Sequence, residues 1–377
     1  MAALAALANK LEDLGSLGRR RSFVSRCGLD FASNDYLGLA RSARLQEAAV
    51  DAVMRGVAVG SGGSRLLRGN CAEHEQLEAE AASFFRSEAA LFLGGGYGAN
   101  TLLFSTLPQR GDLLVYDELI HASAHEGMRL GRAETAAFTH NDVDATADAI
   151  AGWRRRGGSG TPWIAVESLY SMDGDRAPLT DIAALAEREG AMLLIDEAHA
   201  TGVFGPDGRG LAADLDGREN VVVLRTCGKA LGCEGALVLA PAIVRDFIIN
   251  RGRGFIFSTA PSPLIAAIVR ESLCCLRDEP ERRERLHALV GVAGGALAGL
   301  GLPASGSPIQ PVVVGDDRRT MAVAAAMQAA GFDVRGIRPP TVPPGTSRLR
   351  LSLTLNVSET DIQALAAALE PALKGHS

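Results

Sequence analysis

Two periodicities alternate along the chain. Apolar residues three and four apart in SARLQEAAVDAVMRG (42–56), CAEHEQLEAEAASFF (71–85) and LTDIAALAEREG (179–190) predict amphipathic helices. Between such stretches stand short continuous apolar runs: AALFLGG (89–95), DLLVYDE (112–118), PWIAVESLY (162–170), AMLLIDE (191–197), NVVVLRT (220–226) and GALVLA (235–240). These read as strands buried on both faces. Their alternation with helices predicts βαβ units, an α/β fold with a mostly parallel sheet. Ligands of such sheets gather at the carboxyl ends of the strands. Here those ends are polar: ES at 167–168, DE at 196–197 and RTCGK at 225–229.

After STAPSP (258–263) the pattern changes. Residues 264–300 read as long helices, and IQPVVVG (309–315) and SRLRLSLTL (347–355) as strands flanking the helix MAVAAAMQAAG (321–331). The predicted organisation is an N-terminal helical segment over 1–39, a large domain over 40–271 and a small C-terminal α+β domain over 272–377. The first residues, MAALAALANKLEDLGSLGRRR, predict a short amphipathic helix. Glu12, Asp13 and the lack of an apolar core with a cleavage site argue against a targeting peptide. No apolar run is long enough to span a bilayer, so a soluble, cytoplasmic protein is expected.

Composition narrows the chemistry. Net charge is −6 and no basic run exceeds three residues, which disfavours nucleic-acid binding. The six cysteines form no CxxC pair and no zinc-like cluster, so buried or inert thiols and no metal are expected. Among 38 Lys+Arg only Lys10, Lys229 and Lys374 are lysines. Two lie near the termini. Arginine stays charged, whereas a buried lysine can shed its proton and act as an amine nucleophile. The solitary interior lysine therefore marks a position that needs an amine.

LLIDEAHATG (193–202) has the form of a strand ending in the metal-holding acid of a nucleotide-driven motor. Such a motor also needs GxxxxGK[ST]. At the one interior Gly-Lys pair, Val223 stands for the first glycine and Ala230 for the Ser or Thr. GGGYGAN (94–100) fits a loose dinucleotide fingerprint at Gly94, Gly96 and Ala99, with Asp117 near the spacing of a ribose-holding acid, so an NAD-dependent dehydrogenase is a competing reading. Glycines at a helix start would hold the phosphate of another cofactor equally well.

One ligand at the strand ends accounts for more of these features. Gly96 and Tyr97 would offer a helix N-terminus to a phosphate, Asp196 a carboxylate, His199 a ring three residues on, and Lys229 an amine from the next strand. A phosphate cradle, an acid for a pyridinium nitrogen and an amine for a Schiff base together describe pyridoxal 5'-phosphate (PLP). Singly, an acid at a strand end is often a helix cap, and a histidine there a core residue. The combination, with the only interior lysine, favours the functional reading.

Taken in order, ASNDYLGL (32–39), GSGGSR (60–65), GGGYGAN, ELIHAS (118–123), HNDV (140–143), ESLYSMDGDRAPL (167–179), IDEAHATGVFG (195–205), TCGKALG (226–232), FSTAPSP (257–263) and IRPPTVPPGTSRLRL (337–351) resemble the α-oxoamine synthases over nearly the whole chain. The resemblance implies the aspartate-aminotransferase type fold (fold type I), a homodimer, and condensation of an amino acid with an acyl thioester with loss of CO2. It implies Lys229 as the Schiff-base lysine, Asp196 at the pyridinium nitrogen, His199 at the ring hydroxyl and His121 stacked on the ring near substrate. Ser171 and Thr226 would hydrogen-bond the cofactor, Gly96 and Tyr97 would lie beside it, and Thr259 would reach the partner subunit's phosphate. Arg338 and Thr341 would bind substrate, as would Arg19, which could hold a free carboxylate. His121 and His125 have the spacing of a metal pair, but no third ligand is evident.

RPPTVPPGTSRLRL resembles most the branch that joins L-alanine to pimeloyl-CoA or pimeloyl-acyl carrier protein, giving 8-amino-7-oxononanoate for biotin synthesis. The glycine-using ketobutyrate ligases and aminolevulinate synthases are the alternatives. Two positions depart from the family pattern: Ala200 for the usual glycine and Cys227 for an aromatic or aliphatic residue.

Overall fold

The computed structural model describes residues 2–375. Its main sheet has seven strands: β1 Ala89–Leu93, β2 Leu113–Asp117, β3 Glu134–Phe138, β4 Pro162–Glu167, β5 Met192–Asp196, β6 Val221–Thr226 and β7 Ala236–Ala240. The order across the sheet is β1-β7-β6-β5-β4-β2-β3. Strands β2 to β6 are parallel, and β7 runs antiparallel to both β1 and β6. Residues 227–235 link β6 to β7, fewer than a parallel crossover needs, so the chain turns straight back. Every residue of β1, β4, β6 and β7 is buried, as expected of a sheet covered on both faces. Strand β3 was not among the apolar runs. It is an edge strand, largely exposed, and its sequence ETAAF needs no apolar partner outside.

Several helices start where short polar side chains cap them. Ser42 accepts from the Leu45 N–H, Asp142 from Ala145, and Ser262 from Ile265 ahead of Pro263 at the first helical position.

The chain packs as two units: 35–171 with 175–284, and 1–34 with 172–174 and 285–377. This corrects the expected boundaries at 39/40 and 271/272. The helix Pro263–Asp278 packs on the helices Ala43–Met54 and Ala72–Phe84, so the larger unit keeps it. Leu29–Asp30 pairs in parallel with Phe332–Asp333, which draws the N-terminal segment into the smaller unit. Met172–Gly174 joins it too, because the Asp173 carboxylate accepts from Arg348 and a Cβ on Gly174 would collide with the Ile309 carbonyl. The smaller unit has its own antiparallel sheet, β8 Ile309–Gly315, β9 Arg335–Ile337 and β10 Ser347–Ser352, in the order β9-β10-β8. Its core includes Phe31, Leu297, Val312, Met327, Leu349 and Leu351. The helix Ala2–Ser16 forms as predicted, with Leu4, Leu7, Leu11 and Leu14 exposed.

Among the described residues no helix is long and apolar enough to cross a membrane. The cysteines are free. Cys227 and Cys275 are buried as expected, whereas Cys27 is exposed.

Candidate functional site

The site lies in the larger unit, at the carboxyl ends of β4, β5 and β6. Successive strand residues face opposite sides of a sheet, and residues in register across parallel strands face the same side. Asp196 ends β5 in register with Glu167 of β4 and Leu224 of β6. Thr226, two residues beyond Leu224, therefore shares the face of Asp196 and Glu167. Glu197 and Arg225 turn to the other side.

On this face stands the helix Gly96–Thr106, which starts directly after β1. A Cβ built on Gly96 would lie 3.4 Å from Thr226 Oγ1, so the helix N-terminus comes down beside that hydroxyl. One turn in, Asn100 donates from Nδ2 to Asp196 Oδ2 (2.7 Å) and to Ser123 Oγ (3.0 Å). Asp196 Oδ1 accepts from the Ala198 N–H at 2.8 Å. The carboxylate is buried and each oxygen has a donor, which suits an anion.

Lys229 follows β6. Its Nζ lies 2.7 Å from His199 Nε2, and Tyr36 Oη lies 2.7 Å from His199 Nδ1. His199 is 5% exposed and Lys229 half-buried. The single interior amine is thus directed into the site. His121 caps the helix Ala122–Leu130, with its Nδ1 2.7 Å from Ser123 Oγ and its ring edge-on to Tyr97 at 6.4 Å. Asn100 and Ser123 connect it to Asp196. His125, its possible metal partner, instead packs edge-on against Tyr116 at 5.3 Å. No group of three or more His, Cys, Asp or Glu placed to hold a metal occurs among the described residues.

Two turns deliver His121 and Ser171, and one histidine clasps both. His140 Nδ1 lies 2.9 Å from Asp117 Oδ1, and its Nε2 2.7 Å from Asp175 Oδ2. Asp117 also accepts from the Leu119 and Asn141 N–H groups, fixing the turn before His121. The Asp175 carbonyl accepts from the Tyr170 N–H next to Ser171. Burial opposes charge on His140, but its two carboxylates outweigh burial and raise its pKa to about 10. Asp117, the acid that a dehydrogenase would use for ribose, is fully buried and taken up by His140.

Thr259 is exposed and lines, with Gly95 and Tyr97, a cavity of about 940 Å3 that also carries Arg110, Arg132, Arg251 and Arg253. Arg19, Arg338 and Thr341 belong to the smaller unit, where they gather in one place. Arg19 pairs with Asp317 at 2.9 Å, Arg338 donates to the Gly18 carbonyl, and Thr341 Oγ1 accepts from Arg21 at 3.4 Å. Ala200 and Cys227 are both fully buried, and burial pushes the Cys227 thiol well up.

Tyr36, Asn100, Ser123 and Glu167 were not singled out by their chemistry. All four stand within quoted motifs, ASNDYLGL, GGGYGAN, ELIHAS and ESLYSMDGDRAPL, and Glu167 is itself a strand-end acid.

The sequence profile of the class I and II aminotransferases matches residues 27–369. A protein of Anaeromyxobacter dehalogenans named 8-amino-7-oxononanoate synthase is 41% identical over 380 residues, covering 97% of this chain and 94% of that one. The chain belongs to the α-oxoamine synthases, within the class I and II aminotransferase family. A Chromobacterium violaceum protein of the same name is 42% identical, covering 92% and 88%. Among solved structures, a serine palmitoyltransferase of S. paucimobilis with PLP and myriocin bound superposes with a TM-score of 0.90 at 26% identity, covering 100% of this chain and 98% of that one. The 8-amino-7-oxononanoate synthase of Francisella tularensis gives 0.79 at 25% identity, covering 92% and 98%. The large mostly parallel sheet with a smaller antiparallel one is the fold-type I architecture of these enzymes.

Proposed function

We propose that this chain is a PLP-dependent acyltransferase that condenses L-alanine with pimeloyl-CoA or pimeloyl-acyl carrier protein. The products would be 8-amino-7-oxononanoate, CO2 and the free thiol, in biotin synthesis in the cytoplasm. The observation that carries this reading is the meeting of Lys229 with His199 above the strand end that bears Asp196. The relatives at 41–42% identity, named for the product 8-amino-7-oxononanoate, support this substrate pair.

The residues present fit the cofactor. When bound, PLP supplies an aldehyde that bonds amines and a ring that accepts electrons from the substrate α-carbon. Lys229 would provide the amine that holds it and, when free, the base that moves the substrate α-proton. Asp196, fixed by Asn100 and the Ala198 N–H, would keep the ring nitrogen protonated. His199, held by Tyr36, would serve the ring hydroxyl, with Ser171 in support. The N–H groups at Gly96 and Tyr97 and the Thr226 hydroxyl would hold the phosphate. His121 would cover the ring. Arg19, Arg338 and Thr341 are assigned to substrate, with an arginine fork for the free carboxylate of the pimeloyl chain. The arginine-lined cavity beside Tyr97 suits the phosphates of the acyl carrier. We assign a homodimer, in which Thr259 serves the partner's phosphate.

The test is product formation from pimeloyl-CoA with alanine, glycine or serine, followed as CO2 release and by mass of the ketone. Alanine should be used fastest, and Lys229→Ala should abolish turnover. Faster use of glycine or serine would move the chain to another branch. Full activity of Lys229→Ala would reject the assignment.

A further inference from the structure

Glu167 and Asp196 leave the same face of two adjacent parallel strands, in register. Neighbouring strands lie about 4.8 Å apart, and two carboxyl groups held so close do not both ionise without a cation for each. Their surroundings differ. Asp196 receives a donor on each oxygen. Glu167 is 2% exposed, lies close to the backbone N–H groups of Ser171 and His121, and has an oxygen, Oε1, with no hydrogen-bond partner. A buried carboxylate with a bare oxygen is costly, whereas a carboxylic acid there keeps one acceptor for the N–H groups and gains a proton to donate.

We propose that Glu167 is a positioning residue of this site, held as a neutral carboxylic acid between Asp196 and the turns that carry His121 and Ser171. Its neutrality leaves Asp196 as the single anion opposite Lys229. Its carboxyl group fills the space beside two turns that approach from different strands. Burial first and Asp196 second push its pKa well above the usual range, against Lys229 and the two N–H donors. The proposal rests on the PLP reading for what the turns position, but not for the protonation state.

Infrared spectroscopy of the full chain at neutral pH, with and without PLP, tests the state directly. A protonated-carboxyl stretch should be present and should vanish in Glu167→Gln. Kinetics test the role. Glu167→Ala removes the carboxyl group packed beside the two turns and should cost about tenfold to a hundredfold in kcat. Glu167→Gln, which copies the shape and hydrogen bonding of the neutral acid, should recover most of that loss. The PLP absorbance band should shift in the alanine variant and return toward its native position in the glutamine one. A missing acid stretch, or a glutamine variant as impaired as the alanine one, would overturn the proposal. A chain that binds no PLP yet shows the stretch would overturn the cofactor reading and the positioning role, and leave the neutral acid standing.

Discussion

The two sides of the sheet at the ends of β5 and β6 are built from consecutive residues and behave differently. Asp196 and Thr226 face the site, while Glu197 and Arg225 face the opposite layer. On that opposite side Arg225 bonds Glu197 at 3.1 Å and Asp216 at 2.6 Å, with Arg209 3.7 Å from Asp216. Two acids meet two arginines, and the Arg225 guanidinium also lies 4.3 Å from the Phe85 ring centroid. Arg225 and Glu197 are fully buried. On the site side two acids, Glu167 and Asp196, face one lysine. Buried polar atoms without a hydrogen-bond partner occur on both sides: Glu167 Oε1 here, and Asp216 Oδ2, Arg209 Nε and Arg225 Nε opposite. The sides differ in charge: one matches each acid with an arginine, and the other has one cation for two acids. Buried charge by itself therefore marks neither structure nor function. What separates them is whether the chain completes its own charges.

Breaking the completed side should produce the largest effect. Arg225→Met leaves Glu197 and Asp216 buried without their arginine and should cost about 3–5 kcal/mol of stability, seen in denaturant unfolding. Turnover per folded molecule should change far less. Asp196→Asn should do the reverse: about a 10²–10³-fold loss in kcat with little change in stability. If the two variants exchanged these signatures, the distinction between the sides would fail.

A third charged group, at His140, sharpens the comparison, since it is completed yet supports the site. His140→Gln removes hydrogen bonds to two carboxylates and should cost about 1.5–3 kcal/mol. Because the folded pKa of His140 is raised to about 10, its stabilising effect is full below the unfolded value and declines as pH rises through about 10. The wild-type Tm should therefore fall between pH 7 and pH 10 more steeply than that of His140→Gln. Parallel curves would remove His140 as the cause. The smallest effect is expected in the smaller unit. Asp317→Asn releases Arg19 from its ion pair and should lower the KM for the pimeloyl thioester by about twofold to fivefold. A raised KM would show that Asp317 positions Arg19 instead of competing for it.

Much of this was legible in the sequence. The buried strands announced themselves as continuous apolar runs, and the solitary interior lysine pointed to Lys229. Strand β3 was hidden, because an edge strand can be polar. The unit boundary was misplaced because helix periodicity does not say on which core a helix packs. Glu167, Asn100 and Tyr36 were harder still. Their meaning lies in what they face, and register across strands, not spacing along the chain, brings Glu167 to Asp196. His140 shows the same limit: nothing in HNDV says that Asp117 and Asp175 close on it.

The central claim is that the Lys229 amine bonds an aldehyde cofactor. Incubation with PLP, reduction with borohydride, proteolysis and mass spectrometry test it most directly. The account predicts a pyridoxyl-phosphate adduct on the peptide containing Lys229, at about one per chain, and none on Lys10 or Lys374. An unmodified Lys229 peptide, or label spread over all three lysines, would contradict it.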